Sequence, residues 1–203
     1  MRKTASPARA APMPNRSARG SSSISRRPRL LLCRAIFPKT GFHFSGSRSR
    51  MATDILVHGA AVAVAVDPDG PLAGALLLAP SGYGKSGLAL ALIETCPWRR
   101  TALIADDAVL ISAGAGGLVA RAPQSIAGLI EIRGFGPAAV RRVGAARLLA
   151  GFDLAAPASR LPDPEMRAFA EGLALPVWPF QGGETAACRL RAALRSILGG
   201  QTW

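Results

Sequence analysis

The chain has 203 residues, an apolar fraction of 49% and a formal charge of +13, enough length and apolar content for one domain with a buried core. Of its 25 basic residues, 12 fall in residues 1–50, which hold no Asp or Glu, leaving 13 basic against 12 acidic residues in the remainder. That near-neutral body excludes the cationic surface a nucleic-acid footprint needs, three cysteines without C-x-x-C spacing argue against a disulfide framework or a zinc site, and no run reaches the ~18–20 apolar residues of a membrane-spanning helix.

Residues 1–50 are rich in Arg, Ser and Pro and show no apolar period, a composition that cannot offset its own ordering entropy. They are expected to form a disordered basic tail, with a transit peptide, a nucleic-acid-touching arm, or a true start at Met51 as the other readings of the same composition. The folded domain is expected over 51–203. Cys33 lies in the tail, and Cys96 and Cys188 read as ordinary small hydrophobes of a reducing, cytoplasmic protein.

From residue 51 the texture changes. Residues 55–66 are β-rich, 67–71 (Asp-Pro-Asp-Gly-Pro) signal a turn, and 72–78 form a short continuous apolar run, the pattern of a strand, a turn and a buried strand. A helix is predicted over 85–94, stopped by Pro97, followed by a buried strand at 101–105. Residues 109–111 and 118–120 flank a Gly-rich stretch and predict a hairpin. A Pro-rich connection follows Ala155, and 185–198 read as an amphipathic helix with Arg189, Arg191 and Arg195 on or beside its polar face. The order strand, loop, helix, strand predicts an α/β sheet with helices packed on it.

Between the buried strand and its helix stands Ala79-Pro80-Ser81-Gly82-Tyr83-Gly84-Lys85-Ser86. Glycines in such a loop let successive backbone N–H groups point into one concavity around phosphate oxygens, and the helix N-terminus adds its dipole. Lys85 would reach the outer phosphates and the Ser86 hydroxyl would ligate Mg²⁺. The general pattern opens with Gly where this chain has Ala79, and an Ala forced to positive φ would cost roughly 1–2 kcal/mol.

Asp106 and Asp107 end the next buried strand, 20 residues intervening between Ser86 and Asp107, a Walker-B-like position. Such a pair divides labour between a metal and a proton, although two aspartates after a strand equally serve as turn or cap residues. Glu131-Ile132-Arg133-Gly134-Phe135-Gly136 joins a carboxylate, a guanidinium and two glycines, either a metal ligand beside a phosphate clamp or a plain ion pair on one strand face. His43 falls in the tail; His58, on a predicted strand, reads equally as structural.

Taken together and in this order, the His58-Gly59 strand, the S-G-x-G-K-S loop, Ala105-Asp106-Asp107 and the Glu131-to-Gly136 run resemble HPr kinase/phosphorylase, in the short form lacking that family's N-terminal domain. The resemblance runs over roughly residues 55–193. It implies a P-loop kinase domain of the HPr kinase and PEP carboxykinase-like type, using ATP and Mg²⁺. The implied activity is phosphorylation of a serine on an HPr-type phosphocarrier of the sugar phosphotransferase system, with phosphorolytic reversal. By the match Asp107 is the general base, His58 orients it, Lys85 stabilises the transferring group, and Ser86 and Glu131, with Asp106 beside them, hold Mg²⁺. Arg133 and Arg160 are the implied phosphate-facing arginines. Self-association is implied as well. The family's P-V-R-P-G-R-N segment appears here as Pro176-Val177-Trp178-Pro179-Phe180-Gln181-Gly182, without either arginine, which weakens the case for the reverse direction. A nucleotide-sensing regulator that binds its partner without phosphorylating it, and a kinase of a small metabolite, are the other functions consistent with these residues.

Overall fold

In this computed structural model residues 54–200 are described, apart from Ala158 and Glu171. The expectations on the tail, including Cys33, His43 and a start at Met51, lie outside the described residues.

The β-rich stretch divides at Gly59 into β1 (Ile55–His58) and β2 (Ala60–Val64). A Cβ on Gly59 would stand 2.7 Å from the Leu77 carbonyl oxygen, so glycine is what lets the chain pass so close to the neighbouring strand. All five β2 residues are buried, with Ala60, Val62 and Val64 in one core and Ala61 and Ala63 in another. A strand buried on both faces carries no polar alternation, which is why it reads as an unbroken run of small apolar residues.

The turn after it is held by Arg100, whose guanidinium donates to the carbonyls of Asp67, Pro68 and Gly70. It leads into β3 (Ala73–Leu78), antiparallel to β2. Helix α1 (Lys85–Glu94) follows the loop and buries Leu88, Ala89, Leu92 and Ile93. It stops where expected: the Thr95 hydroxyl and N–H both donate to the Ala91 carbonyl, at 2.6 and 2.9 Å, two residues before Pro97. The chain returns as β4 (Ala102–Ala105), which pairs with the other edge of β2. β3 and β4 therefore run parallel with an antiparallel strand between them, a mixed sheet.

β5 (Ala108–Gly114) and β6 (Gly117–Arg121) form the predicted hairpin, and β1 pairs antiparallel with β5. β7 (Leu129–Ile132) and β8 (Gly136–Ala139) make a separate two-stranded hairpin. The nine residues of β9 (Ala145–Asp153) join the halves: residues 145–147 pair antiparallel with β6, and those from Leu148 onward pair parallel with β3. The sheet thereby curls, so that Val109, Ile111, Leu118 and Ala120 share a core with Ala61, Ala63 and Leu76.

The Pro-rich connection expected after Ala155 contains two strands, β10 (Glu165–Ala170) and β11 (Leu173–Pro179), the latter parallel to β9. Pro176 and Pro179 mask the strand in the sequence because proline lacks a ladder donor, while the alternation of buried Leu175 and Val177 is what seats it.

Helix α2 (Ala186–Leu198) matches its expected span and packs Ala186, Ala187, Leu190 and Leu194 against α1 and β2. Arg189 and Arg195 are exposed, as a polar face requires, whereas Arg191 is not. Arg191 is buried and donates to the Leu92 carbonyl in the last turn of α1 at 2.9 Å. Arg195 donates twice to the Val66 carbonyl, and Arg189 to those of Gln181 and Gly182. Each long cation thus meets carbonyls at an element end, a use favoured by the helix dipole for Arg191. Cys96 is buried as expected, whereas Cys188 is exposed on α2. Among the described residues no helix is long and apolar enough to cross a membrane.

Candidate active site

β3, β4, β9 and β11 run the same way, so their C-terminal ends fall on one edge of the sheet, where open α/β sheets collect ligand-facing groups. That edge carries the loop 79–84 after β3, Asp106 and Asp107 after β4, and Asp153 at the end of β9. β2 runs in the opposite sense, which returns Gly59 and, just before it, His58 to the same edge.

Gly82 and Gly84 sit at φ +89 and +86, the conformation that turns the loop and caps α1. Ala79 is not strained: among the described residues the non-glycine positions with positive φ are Arg99 and Asp107. The cost anticipated for Ala79 does not arise, because this loop opens in ordinary backbone. α1 begins with no side-chain cap and no acidic residue in its first turn, leaving its leading N–H groups and dipole for an anion.

Lys85, only 6% exposed, folds back onto the loop. Its ammonium donates to the carbonyls of Ala79 and Pro80, at 2.8 and 3.0 Å, and stands 3.1 Å from His58 Nε2. An ammonium has only donors, so Nε2 is the acceptor and the imidazole proton sits on Nδ1. Nδ1 is 3.1 Å from the Asp107 carbonyl and 3.2 Å from its carboxylate Oδ1. The Asp107 carbonyl also accepts the Gly59 N–H at 3.1 Å. A chain of contacts thus runs from loop 79–84 through Lys85 and His58 to Asp107.

Asp107 lies at φ +67, at the centre of a three-residue turn closed by Ala108 N–H donating to the Asp106 carbonyl at 2.8 Å. Such a turn is a strained form, sustained here by the contacts from His58 and Gly59. The turn sends the two aspartates in different directions. Asp107 is exposed, its side chain 77% accessible, whereas Asp106 is buried.

Asp106 accepts the Ser86 hydroxyl on Oδ1 at 2.8 Å and the Glu131 N–H on Oδ2 at 3.1 Å. It therefore locks the start of α1 to the β7 hairpin. Glu131 is exposed on β7, and Arg133 lies in the turn beyond it, where Phe135 N–H donates to the Ile132 carbonyl and Gly134 takes φ +82. The two are not a pair on one strand face, and no ion pair joins them among the described residues. Arg160 is exposed in the connection between β9 and β10, and no hydrogen bond carries it to the site among the described residues.

The uncapped start of α1 fits a nucleotide phosphate, and the Ser86 hydroxyl with the Asp106 carboxylate offers the hard oxygen donors Mg²⁺ takes. No cluster of three or more His, Cys, Asp or Glu stands ready for a metal among the described residues.

Two features escaped the sequence. Asp153, opposite Leu78 in the sheet, accepts the Ala155 and Ala156 N–H groups and lies 3.5 Å from Arg167; a lone carboxylate closing an apolar run was its signal. Trp178, at the position of the segment's first arginine, and Phe180, at that of its glycine, pack their rings on Phe152.

The family model described as the HPr serine kinase C-terminal domain matches residues 49–149. Among similar proteins, HPr kinase/phosphorylase of Clostridium perfringens is 40% identical over 87 residues, 43% of this chain and 25% of that protein. HPr kinase/phosphorylase of Bordetella pertussis is 42% identical over 71 residues, 34% of this chain and 22% of that protein. The chain thus matches about a quarter of the length of these relatives. The structure of the Hpr(Ser) kinase/phosphatase from Coxiella burnetii superposes with a TM-score of 0.59 at 21% identity, over 72% of this chain and 97% of that one, a likeness of fold. The loop, the two aspartates and the hairpin signature all lie inside the stretch, residues 49–149, that matches the HPr serine kinase C-terminal domain family.

Proposed function

We propose that this chain is a cytoplasmic protein-serine kinase that transfers the γ-phosphoryl group of ATP to an HPr-type phosphocarrier. The observation that carries this reading is the contact chain Lys85, His58, Asp107, which sets an exposed carboxylate beside a phosphate-binding loop.

In this reading the loop amides and the α1 N-terminus hold the phosphates, and Lys85 leaves its loop carbonyls to follow the transferring group. Ser86, Asp106 and Glu131 would hold Mg²⁺, whose chemistry there would be neutralisation of charge on the phosphates. Asp107 takes the proton of the acceptor serine as its oxygen attacks phosphorus. Its exposure suits an acceptor that arrives on another protein, and His58 holds it in place. Arg133, at the tip of the β7–β8 turn, and Arg160 are the cations available to close on the transferring group. Where the reverse reaction would call for further phosphate-binding cations, this chain has Trp178, packed on Phe152, and the uncharged Gln181, which supports the forward direction.

The test is incubation with γ-labelled Mg·ATP and an HPr-type protein, followed by mapping of the label. Transfer to a serine supports the kinase. ATP-dependent binding of the phosphocarrier without transfer would replace it with a nucleotide-sensing regulator.

A further inference from the structure

The strands that follow β9 bring one more arginine to the edge of the sheet that carries loop 79–84. In the β10–β11–β9 register Arg167 stands opposite Leu175, whereas Asp153 stands opposite Pro179, farther along β11 toward that edge. The Arg167 guanidinium nevertheless comes within 3.5 Å of the Asp153 carboxylate, so its side chain leans along the strands toward the C-terminal ends of β3 and β9. Asp153 is itself level with Leu78, and its neighbour Leu154 donates its N–H to the Leu78 carbonyl at 2.8 Å, just before the loop begins. Arg167 therefore ends beside the root of the loop.

The way it is held leaves it free to move. Its Nη2 is shared between Asp153 and Glu165, the latter at 3.0 Å, and among the described residues no hydrogen bond engages Nε or Nη1. A guanidinium has five N–H donors, so most of its capacity is unspent. Glu165 is exposed and lies two positions away on the same strand, a contact that water weakens. Asp153 is anchored without the arginine, because its Oδ1 accepts the N–H groups of Ala155 and Ala156. Both partners are anions, and phosphoryl oxygens offer a guanidinium the same charge with a bidentate fit. Arg160, earlier in the same connection, has no comparable anchor at this edge among the described residues.

We propose that Arg167, resting on Asp153 and Glu165, turns onto the γ-phosphoryl group during transfer and is a catalytic residue of this chain. The proposal deepens the kinase reading above and rests on it. In that step the γ-phosphorus separates from the β–γ bridging oxygen, which keeps the bonding electron pair. It bonds to the serine oxygen, whose proton passes to Asp107. Charge grows on the bridging oxygen and spreads over the three equatorial oxygens, where an arriving guanidinium stabilises the transferring group more than it stabilises bound ATP.

The test measures calorimetric affinity for Mg·ADP with and without fluoroaluminate, a planar mimic of the transferring group, together with the kinetics of label transfer. Wild type, Arg167→Ala, Arg167→Gln and Lys85→Ala are compared. Fluoroaluminate is expected to tighten Mg·ADP on the wild type. Both Arg167 variants are expected to keep Mg·ADP affinity within about threefold and to lose about tenfold or more of the fluoroaluminate gain. Their kcat should fall by about 10²-fold or more with KM for ATP little changed. Arg167→Gln keeps a polar side chain in the strand, so its thermal midpoint should stay near that of the wild type. Dissolved guanidinium should restore part of the Arg167→Ala rate, which a purely structural role would not allow. If both variants keep the fluoroaluminate gain and the rate, or lose Mg·ADP affinity and thermal midpoint along with them, the proposal is overturned, while a loss of binding in Lys85→Ala still upholds the loop. If the wild type neither gains from fluoroaluminate nor transfers label, the kinase reading falls and takes this proposal with it.

Discussion

The ammonium of Lys85 and the imidazole Nε2 of His58 stand 3.1 Å apart although 27 positions separate them in the chain. The contact exists because Gly59 lets the β1–β2 junction press against β3 at the point where β3 gives way to the phosphate loop. It couples the lysine folded back on loop 79–84 to the histidine that contacts Asp107.

Replacing Asp107 with Asn keeps the size of the side chain and removes its basicity. Phosphoryl transfer to the acceptor serine should fall by about 10²–10⁴-fold, the usual contribution of a positioned general base. Calorimetric affinity for Mg·ATP should stay near that of the wild type. Transfer at an undiminished rate would remove Asp107 from the proton-handling role.

His58→Ala leaves both Lys85 and Asp107 in place but deletes the group between them. A misplaced base costs on the order of 10²-fold in rate, so turnover should drop by about that factor with KM for ATP little changed. Steady-state kinetics on both substrates separates this from a structural defect, which would lower the thermal midpoint and both parameters together.

Gly59→Ala tests how this arrangement is built. The new Cβ meets the Leu77 carbonyl at 2.7 Å, a backbone atom that cannot swing away. Overpacking of this kind costs about 1–3 kcal/mol, read by urea denaturation, and activity should fall with the displacement of His58.

Ser86→Ala removes one of two hydrogen bonds on a buried carboxylate. Stability should drop by about 1–3 kcal/mol, the cost of leaving a buried polar group short of a partner. A steeper Mg²⁺ requirement in the transfer assay should accompany it. Arg191→Ala, far from the chemistry, should cost a similar amount, because it uncovers the Leu92 carbonyl and empties packed volume between the helices, yet leave ATP affinity unchanged.

What the sequence revealed was local. The loop, the span of α1, the stop at Pro97 and the hairpin at 114–117 are each encoded in a few neighbouring residues, and the placement of Asp106 and Asp107 follows from the strand before them. What stayed hidden depends on register across the sheet. Nothing near His58 announces that its ring meets both Lys85 and, 49 positions away, Asp107. Nothing near Arg191 announces a carbonyl 99 positions distant, so an amphipathic pattern placed it at the surface. The prolines of β11 hid a strand whose partners, β9 and β10, hold it without the donors it lacks. The strain expected at Ala79 failed for a related reason: a motif specifies a loop's average shape, and this loop puts its left-handed turns at Gly82 and Gly84.

The most direct measurement is label transfer from γ-labelled Mg·ATP to an HPr-type phosphocarrier by wild type and Lys85→Ala side by side. The account predicts label on a single serine with the wild type and, with the variant, both weakened nucleotide binding and transfer reduced to background. A Lys85→Ala protein that binds Mg·ATP and turns over like the wild type would contradict it.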